Sequence, residues 1–188
     1  MKLRFIVSLI ALATVLGFST RAQELPKIDA SVNYSYLRAN PATSGLGGFN
    51  LNGGSAAVSY NFRDWLSGVA DFGGYHVGKI NNTNVDNHVI TYLFGPRFTY
   101  RRSRRITPFG QVLFGAARTG SGVFATSNSR TAFASALGAG VDWNVRDRFS
   151  IRPVQFDYLL THFPEVTNGN NLTQNNLRVS TGIVFHFK

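Results

Sequence analysis

The chain has 188 residues, no cysteine, a formal net charge of +10 and a mean hydropathy of −0.04. That is enough for one domain, and it leaves no disulfide framework and no thiolate metal site. The charge comes without a Lys-rich face, zinc spacing or a ribonucleoprotein aromatic motif, so nucleic acid is not an expected partner.

The N-terminus reads as an export signal. Residues 1–4 are basic, 5–17 are apolar, and 19–22 end on the small residue Ala22. That order describes a secretory signal peptide over 1–22, cleaved to leave a mature domain of 23–188. The apolar run is too short for a spanning helix, and no later run reaches the ~18 residues that one needs. No lipobox cysteine is present.

The rest of the chain alternates at period two. A strand over 27–37 sets Ile28, Ala30, Val32, Tyr34 and Tyr36 against Asp29, Ser31, Asn33 and Ser35. A second, over 53–62, sets Ala56, Val58, Tyr60 and Phe62 against Ser55, Ala57, Ser59 and Asn61. The third, over 66–77, carries Asp71 out of phase with Ala70 and Phe72. The fourth, over 88–100, sets Ile90, Tyr92, Phe94, Phe98 and Tyr100 against Thr91, Leu93, Gly95, Arg97 and Thr99. The fifth, over 106–117, opposes Val112 and Phe114 to Thr107, Phe109 and Gln111. The sixth, over 132–144, opposes Phe133, Leu137, Val141 and Trp143 to Ala134, Ala136, Gly138, Gly140 and Asp142. The seventh, over 149–162, holds Pro153, which marks a bulge because proline cannot donate to the ladder. The eighth, over 177–187, places Leu177, Val179, Thr181, Ile183, Phe185 and Phe187 on one face and Arg178, Ser180, Gly182, Val184 and His186 on the other.

Short polar connections (63–65, 101–105, 145–148) alternate with long ones (38–52, 78–87, 118–131, 163–173) rich in Gly, Asn, Ser and Thr. Long and mobile extracellular loops against short periplasmic turns are the habit of an outer-membrane barrel. Charged residues make up 15% and aromatics 13% of the sequence, which suits strands that face lipid on one side. Backbone groups in lipid need partners, so the first strand must pair with the eighth. The fold class expected is all-β: an eight-stranded antiparallel up-and-down transmembrane β-barrel, its interior just wide enough to be filled by side chains. A soluble lipocalin-like barrel would carry its apolar face inward and lacks support in the pattern of charges and end-of-strand aromatics.

The polar phase directs Asp29, Asp71, Arg97, Asp142, Asp157 and Arg178 into the lumen, with Arg152 joining them if a bulge at Pro153 shifts the phase. Folding adjacent strands brings Asp157 near Arg178 and Asp142 near Arg152. A plug of ion pairs is the expected arrangement, since enclosed charges must pair or be hydrated. The histidines suggest little chemistry. His76, His88 and Asp86 match no metal cage, and His162 near Glu165, with Ser121, Ser127 or Ser129 as nucleophile, makes only a weak hydrolase pattern. No catalytic residue, metal or cofactor is expected. The 101–105 arginine cluster reads as solvated charge near anionic headgroups, and Arg118 and Arg130 as possible contacts to lipopolysaccharide phosphate.

Several stretches resemble a known family. They are Asp157-Tyr158-Leu159-Leu160-Thr161, Gln174-Asn175-Asn176-Leu177-Arg178, Gly182-Ile183-Val184-Phe185-His186-Phe187, Phe94-Gly95-Pro96-Arg97-Phe98 and Thr107-Pro108-Phe109. The set is similar to the outer-membrane β-barrel family that includes the OmpA transmembrane domain and OmpX/Ail-type small barrels. The chain departs from the family in ending on Lys188 after the aromatic, and it has no peptidoglycan-binding domain after the eighth strand. The resemblance implies a Gram-negative-type outer membrane and insertion by the barrel assembly machinery, with Ile183, Phe185 and Phe187 as closure and C-terminal signature. It also implies contact with outer-membrane lipids and lipopolysaccharide, and a monomer with a structural or surface-interaction role toward an extracellular ligand the sequence does not name. A narrow gated pore is the alternative, and a lipid-modifying enzyme a further one.

Overall fold

A computed structural model describes residues 26–40, 48–80, 83–121, 130–164 and 171–187. The expected signal segment lies outside them. Eight strands follow in order: β1 Ile28–Ala39, β2 Phe49–Arg63, β3 Leu66–Ile80, β4 Thr83–Thr99, β5 Ile106–Ser121, β6 Arg130–Arg146, β7 Phe149–Pro164 and β8 Asn171–Phe187. Each pairs antiparallel with its sequence neighbours, and β1 pairs with β8 to close the barrel. No helix among the described residues is long and apolar enough to cross a membrane; in a barrel the strands do that.

The alternation explains the two surfaces. Along β1 the burial pattern alternates almost without exception from Asp29, buried, to Ala39, buried. The outward phase carries large apolar side chains, among them Val32 at 63% exposure, Leu137 at 64% and Phe133 at 55%. In water such a surface would aggregate; against lipid it is the favourable one. Aromatics gather at the short-turn end, where Trp65 stacks on Phe98 at 6.1 Å and Phe149 meets Phe185 edge-on at 5.8 Å.

The strands run further toward the long connections than the alternation predicts. β3 and β4 pair as far as Ile80 with Thr83, and β8 starts at Asn171 rather than 177. The reason is that alternation reports contact with lipid, whereas ladder pairing needs only backbone groups. At 12 to 17 residues, tilted strands rise roughly 30–45 Å, more than the ~25 Å apolar band. Polar outward residues mark the excess: Arg38 donates to Asn50 at 3.0 Å, and the Tyr34 hydroxyl to Asn52 at 2.9 Å.

The register shifts on β7 between Arg152 and Gln155. Pro153 lies between them and faces outward, and both Arg152 and Gln155 are buried. One extra residue thus restores the inward phase for a second charged layer. Two glycines of β6 make the space this layer needs. A Cβ on Gly138 would collide with the Asp157 carboxylate, and one on Gly140 would come within 2.5 Å of the Phe109 ring.

A closed barrel of this kind resists detergent. In gel electrophoresis the unboiled protein should migrate differently from the boiled one, and identical mobility would count against closure.

Candidate functional site in the barrel lumen

The inward phase of the sheet builds a continuous polar chain across the lumen. Arg152 donates two hydrogen bonds to Asp142, Nε to Oδ1 at 2.7 Å and Nη2 to Oδ2 at 3.0 Å. Its Nη1 donates to Gln155 Oε1 at 2.9 Å, and Gln155 Nε2 donates to Asp157 Oδ2 at 2.7 Å. Arg178 Nε donates to the same Oδ2 at 2.9 Å, while its Nη1 donates to Asp71 Oδ1 at 2.8 Å and to the Tyr75 hydroxyl at 3.0 Å. The other Asp157 oxygen accepts from Gln111 Nε2 at 2.9 Å. Gln111 Oε1 in turn accepts from Arg97 Nε and Nη2, at 3.0 and 2.8 Å.

The two glutamines act as adaptors. Each presents its oxygen to a guanidinium and its amide nitrogen to a carboxylate, so charge fixes the orientation of both amides. Asp157 and Arg178 are fully buried and Arg152 is 1% exposed. Three arginines (Arg97, Arg152, Arg178) meet three aspartates (Asp71, Asp142, Asp157), so the enclosed layer is neutral in sum. Among the described residues, Arg97 has no carboxylate within ion-pair distance. It is held by Gln111, by Ser59 at 3.4 Å, and by the Phe109 ring, whose centroid lies 4.4 Å from its guanidinium carbon and 4.5 Å from that of Arg152. The electron-rich ring is within cation–π distance of two cations that would otherwise repel.

Toward the long connections the lumen turns apolar. On β4 to β7, Leu93, Leu113, Ala136 and Leu159 follow the polar residues, and they form one buried cluster with Leu37, Leu51 and others from β1 through β7. The inward phase therefore carries an apolar layer as well as the polar one anticipated from the charges.

Asp29 stands apart from this network. At the short-turn end its Oδ1 lies 2.6 Å from His186 Nδ1, across the β1–β8 seam, and its Oδ2 accepts from Asn61 at 2.8 Å. Arg101 Nη2 approaches it at 3.6 Å. His186 Nε2 lies 2.7 Å from Ser150 Oγ. Serine, histidine and aspartate thus stand in the order of a hydrolase relay, but the serine has a second partner in Asn144. Asn144 Nδ2 donates to Arg104 O and Thr107 Oγ1, which leaves its Oδ1 to accept the Ser150 hydroxyl at 2.8 Å. The Ser150 hydroxyl is thus shared between Asn144 Oδ1 and His186 Nε2. Ser150 is also fully buried. The adjoining cavity, lined by Asp29, Arg97, Asp142 and His186 among others, measures about 20 Å³, roughly room for one water.

Sequence reasoning missed the glutamine adaptors, Phe109, Tyr75 and this rim cluster. The rim did carry a signal. Residues 61–67 and 144–150 share the spacing Asn-x-Arg-Asp-x-x-Ser, each preceded by an aromatic. In both, serine donates to the asparagine six residues earlier, at 2.5 Å for Ser67 and 2.8 Å for Ser150. Both asparagines reach the chain entering the neighbouring strand, Asn61 at Pro26 O and Asn144 at Arg104 O. The ladder shifts register between Asn61 and Arg63 and between Asn144 and Arg146.

The remaining candidates are quickly placed. His76 and His88 are cross-strand neighbours on β3 and β4, with ring centroids 4.8 Å apart. Among the described residues no group of three or more His, Cys, Asp or Glu could hold a metal. The Asp86 side chain and Ser127, Ser129 and Glu165 lie outside what the structure describes, as do the side chains of Ser121 and His162. Arg102, fully exposed on the β4–β5 turn, has its pKa raised by its hydrogen bond to Tyr100. On β8, Ile183, Phe185 and Phe187 face outward and pair with Val32, Ala30 and Ile28.

An apolar exterior, a closed antiparallel sheet and charges gathered in the lumen and at the rims define an integral β-barrel of the bacterial outer membrane. The family model for the outer membrane protein beta-barrel domain matches residues 8–185, and the chain belongs to that family. Among solved structures it is similar to the Neisserial surface protein A, at 13% identity and a TM-score of 0.65 over 88% of this chain and 100% of that one. It is also similar to outer membrane protein AlkL in lipid bilayers, at 13% identity and 0.54 over 91% and 94%, and to the N-terminal barrel domain of Pseudomonas aeruginosa OprF, at 14% and 0.50 over 85% and 97%. These likenesses show the fold. No curated protein sequence matches the chain. In such barrels the short turns face the periplasm.

Removing one partner of a buried charge pair leaves the other unpaired, which costs about 3–5 kcal/mol. Asp157→Ala should lower unfolding free energy by about that much, read by urea titration in lipid vesicles with the folded gel band as signal. Gly138→Ala, which crowds the same carboxylate, should lose part of it.

Proposed function

We propose that the protein is a closed structural and surface-interaction barrel of the outer membrane, its lumen plugged by side chains and its long connections presented to the exterior. The observation that carries this reading is the buried chain from Asp142 through Arg152, Gln155, Asp157 and Arg178 to Asp71. It draws on β3, β6, β7 and β8, and Gln111 and Arg97 extend it to β5 and β4. The Leu and Ala cluster forms a second seal in series with it. A gated pore would have to open both. A lipid-modifying enzyme would need a serine that substrate can reach, and Ser150 is buried.

On this reading the barrel works as a monomer, with no cofactor and no nucleic acid. The barrel assembly machinery would read the β8 side chains Ile183, Phe185 and Phe187. Lipopolysaccharide phosphate would meet Arg118 and Arg130 at the outer rim, and any extracellular ligand would meet the long connections.

Purified protein in a planar bilayer should show no steady conductance at high salt; a large, constant open level would establish a pore instead. A fluorophosphonate probe should leave the folded protein unlabelled. Labelling that disappears in Ser150→Ala would restore the enzyme reading.

A further inference from the structure

The short-turn rim carries far more positive charge than the lumen chemistry uses. Arg63 ends β2, Arg102, Arg104 and Arg105 sit on the β4–β5 turn, Arg146 ends β6 and Arg148 lies on the β6–β7 turn; Lys27 precedes β1. All seven are exposed, and none is in a salt bridge among the described residues. The acidic side chains exposed on the same three turns are Asp64 and Asp147. Like charges this dense repel one another, so a chain that keeps them needs an anion nearby.

Three observations say which anion. The first is depth. Phe62 precedes Arg63, Tyr100 precedes the arginine turn and Ile106 follows it, and Val145 precedes Arg146. These four are 49–62% exposed on the outward face, where aromatic and apolar girdles meet the interface. The second is reach. The β2–β3 and β6–β7 turns are two residues long, Asp64–Trp65 and Asp147–Arg148, so their guanidiniums stay within one side-chain length of that boundary. The third is order. The β4–β5 turn is fixed by Asn144, whose Nδ2 donates to Arg104 O at 3.0 Å and whose backbone N donates to Arg105 O at 2.8 Å. Ser103 Oγ accepts from the Arg105 and Ile106 amides at 3.3 and 3.4 Å. The arginines are therefore presented on a held turn, at headgroup depth, on three sides of one rim. A guanidinium matches a phosphodiester with two parallel hydrogen bonds, better than an ammonium does.

We propose that this rim is a collar that binds anionic phospholipid headgroups of the periplasmic leaflet, phosphatidylglycerol-type phosphodiesters, and so concentrates them around the barrel. The collar is independent of whether the lumen conducts. It rests on the short-turn end alone and leaves the outer rim to other contacts.

The test uses the full barrel reconstituted in phosphatidylcholine bilayers, with spin-labelled phosphatidylglycerol or phosphatidylcholine as probe. Electron paramagnetic resonance then gives the relative association of each lipid with the protein. The wild-type barrel should prefer phosphatidylglycerol by about threefold or more at low salt, and 1 M NaCl should reduce that preference toward one. Arg102→Gln/Arg104→Gln/Arg105→Gln should lose much of it, and adding Arg63→Gln, Arg146→Gln and Arg148→Gln should abolish it. If the six-site variant fails the folded-band assay, the triple variant and the salt series decide. No preference in the wild type, or a preference that survives both the triple substitution and high salt, overturns the proposal. So does salt-sensitive retention on isolated peptidoglycan sacculi without any lipid preference, which would give the collar to the cell wall.

Discussion

Everything in this molecule follows from the absence of water around its strands. An amide in hydrocarbon has no partner but another amide, so a sheet with an edge cannot stay there. The pairing of β1 with β8, from Ile28 opposite Phe187 to Arg38 opposite Leu177, removes the last edge. Once the sheet is closed at eight strands its interior is narrow, and the inward half of every strand must fill that interior. The outward half is left to lipid, which accepts Phe, Tyr, Leu and Val without further design.

Closure therefore creates the problem that the lumen solves. The central lumen network holds six charged groups away from solvent, and each would be costly alone. They are made tolerable by neutral partners as much as by opposite charge: Gln111 and Gln155 connect guanidinium to carboxylate, and Phe109 stands under two cations. Gly138 and Gly140 give up their side chains so that Asp157 and Phe109 can take the space. Packing and electrostatics are here the same question, because the atoms that neutralise the charge also occupy the volume a solute would need.

Much of this is legible from alternation. Which face Asp71, Asp142 and Arg178 occupy depends only on local phase, and for Arg152 the proline is the clue that phase changes. Hairpin register suggests that Asp157 stands opposite Arg178. Partners that meet across the lumen are not legible, because they depend on how far side chains reach between strands that are not neighbours. Asp71 and Arg178, on β3 and β8, are 107 residues apart. Strand ends were underread for a simpler cause: outside lipid the outward residues may be polar, as Asn50 and Asn52 are, while the backbone ladder continues.

The repeated rim motif orders the whole short-turn end. Asn61 and Asn144 lie four strands apart, and their environments correspond in detail: Lys27 O and Arg105 O accept their amides, and Trp65 O and Arg148 O accept from Thr99 and His186. The two four-stranded halves, β1–β4 and β5–β8, thus repeat the same rim contacts. Where the halves differ is informative. Thr99 and Thr107 occupy, at the β4–β5 junction, the places that His186 and Asp29 take at the β8–β1 junction. The aspartate–histidine pair is found at the one junction where the two halves meet without a covalent link.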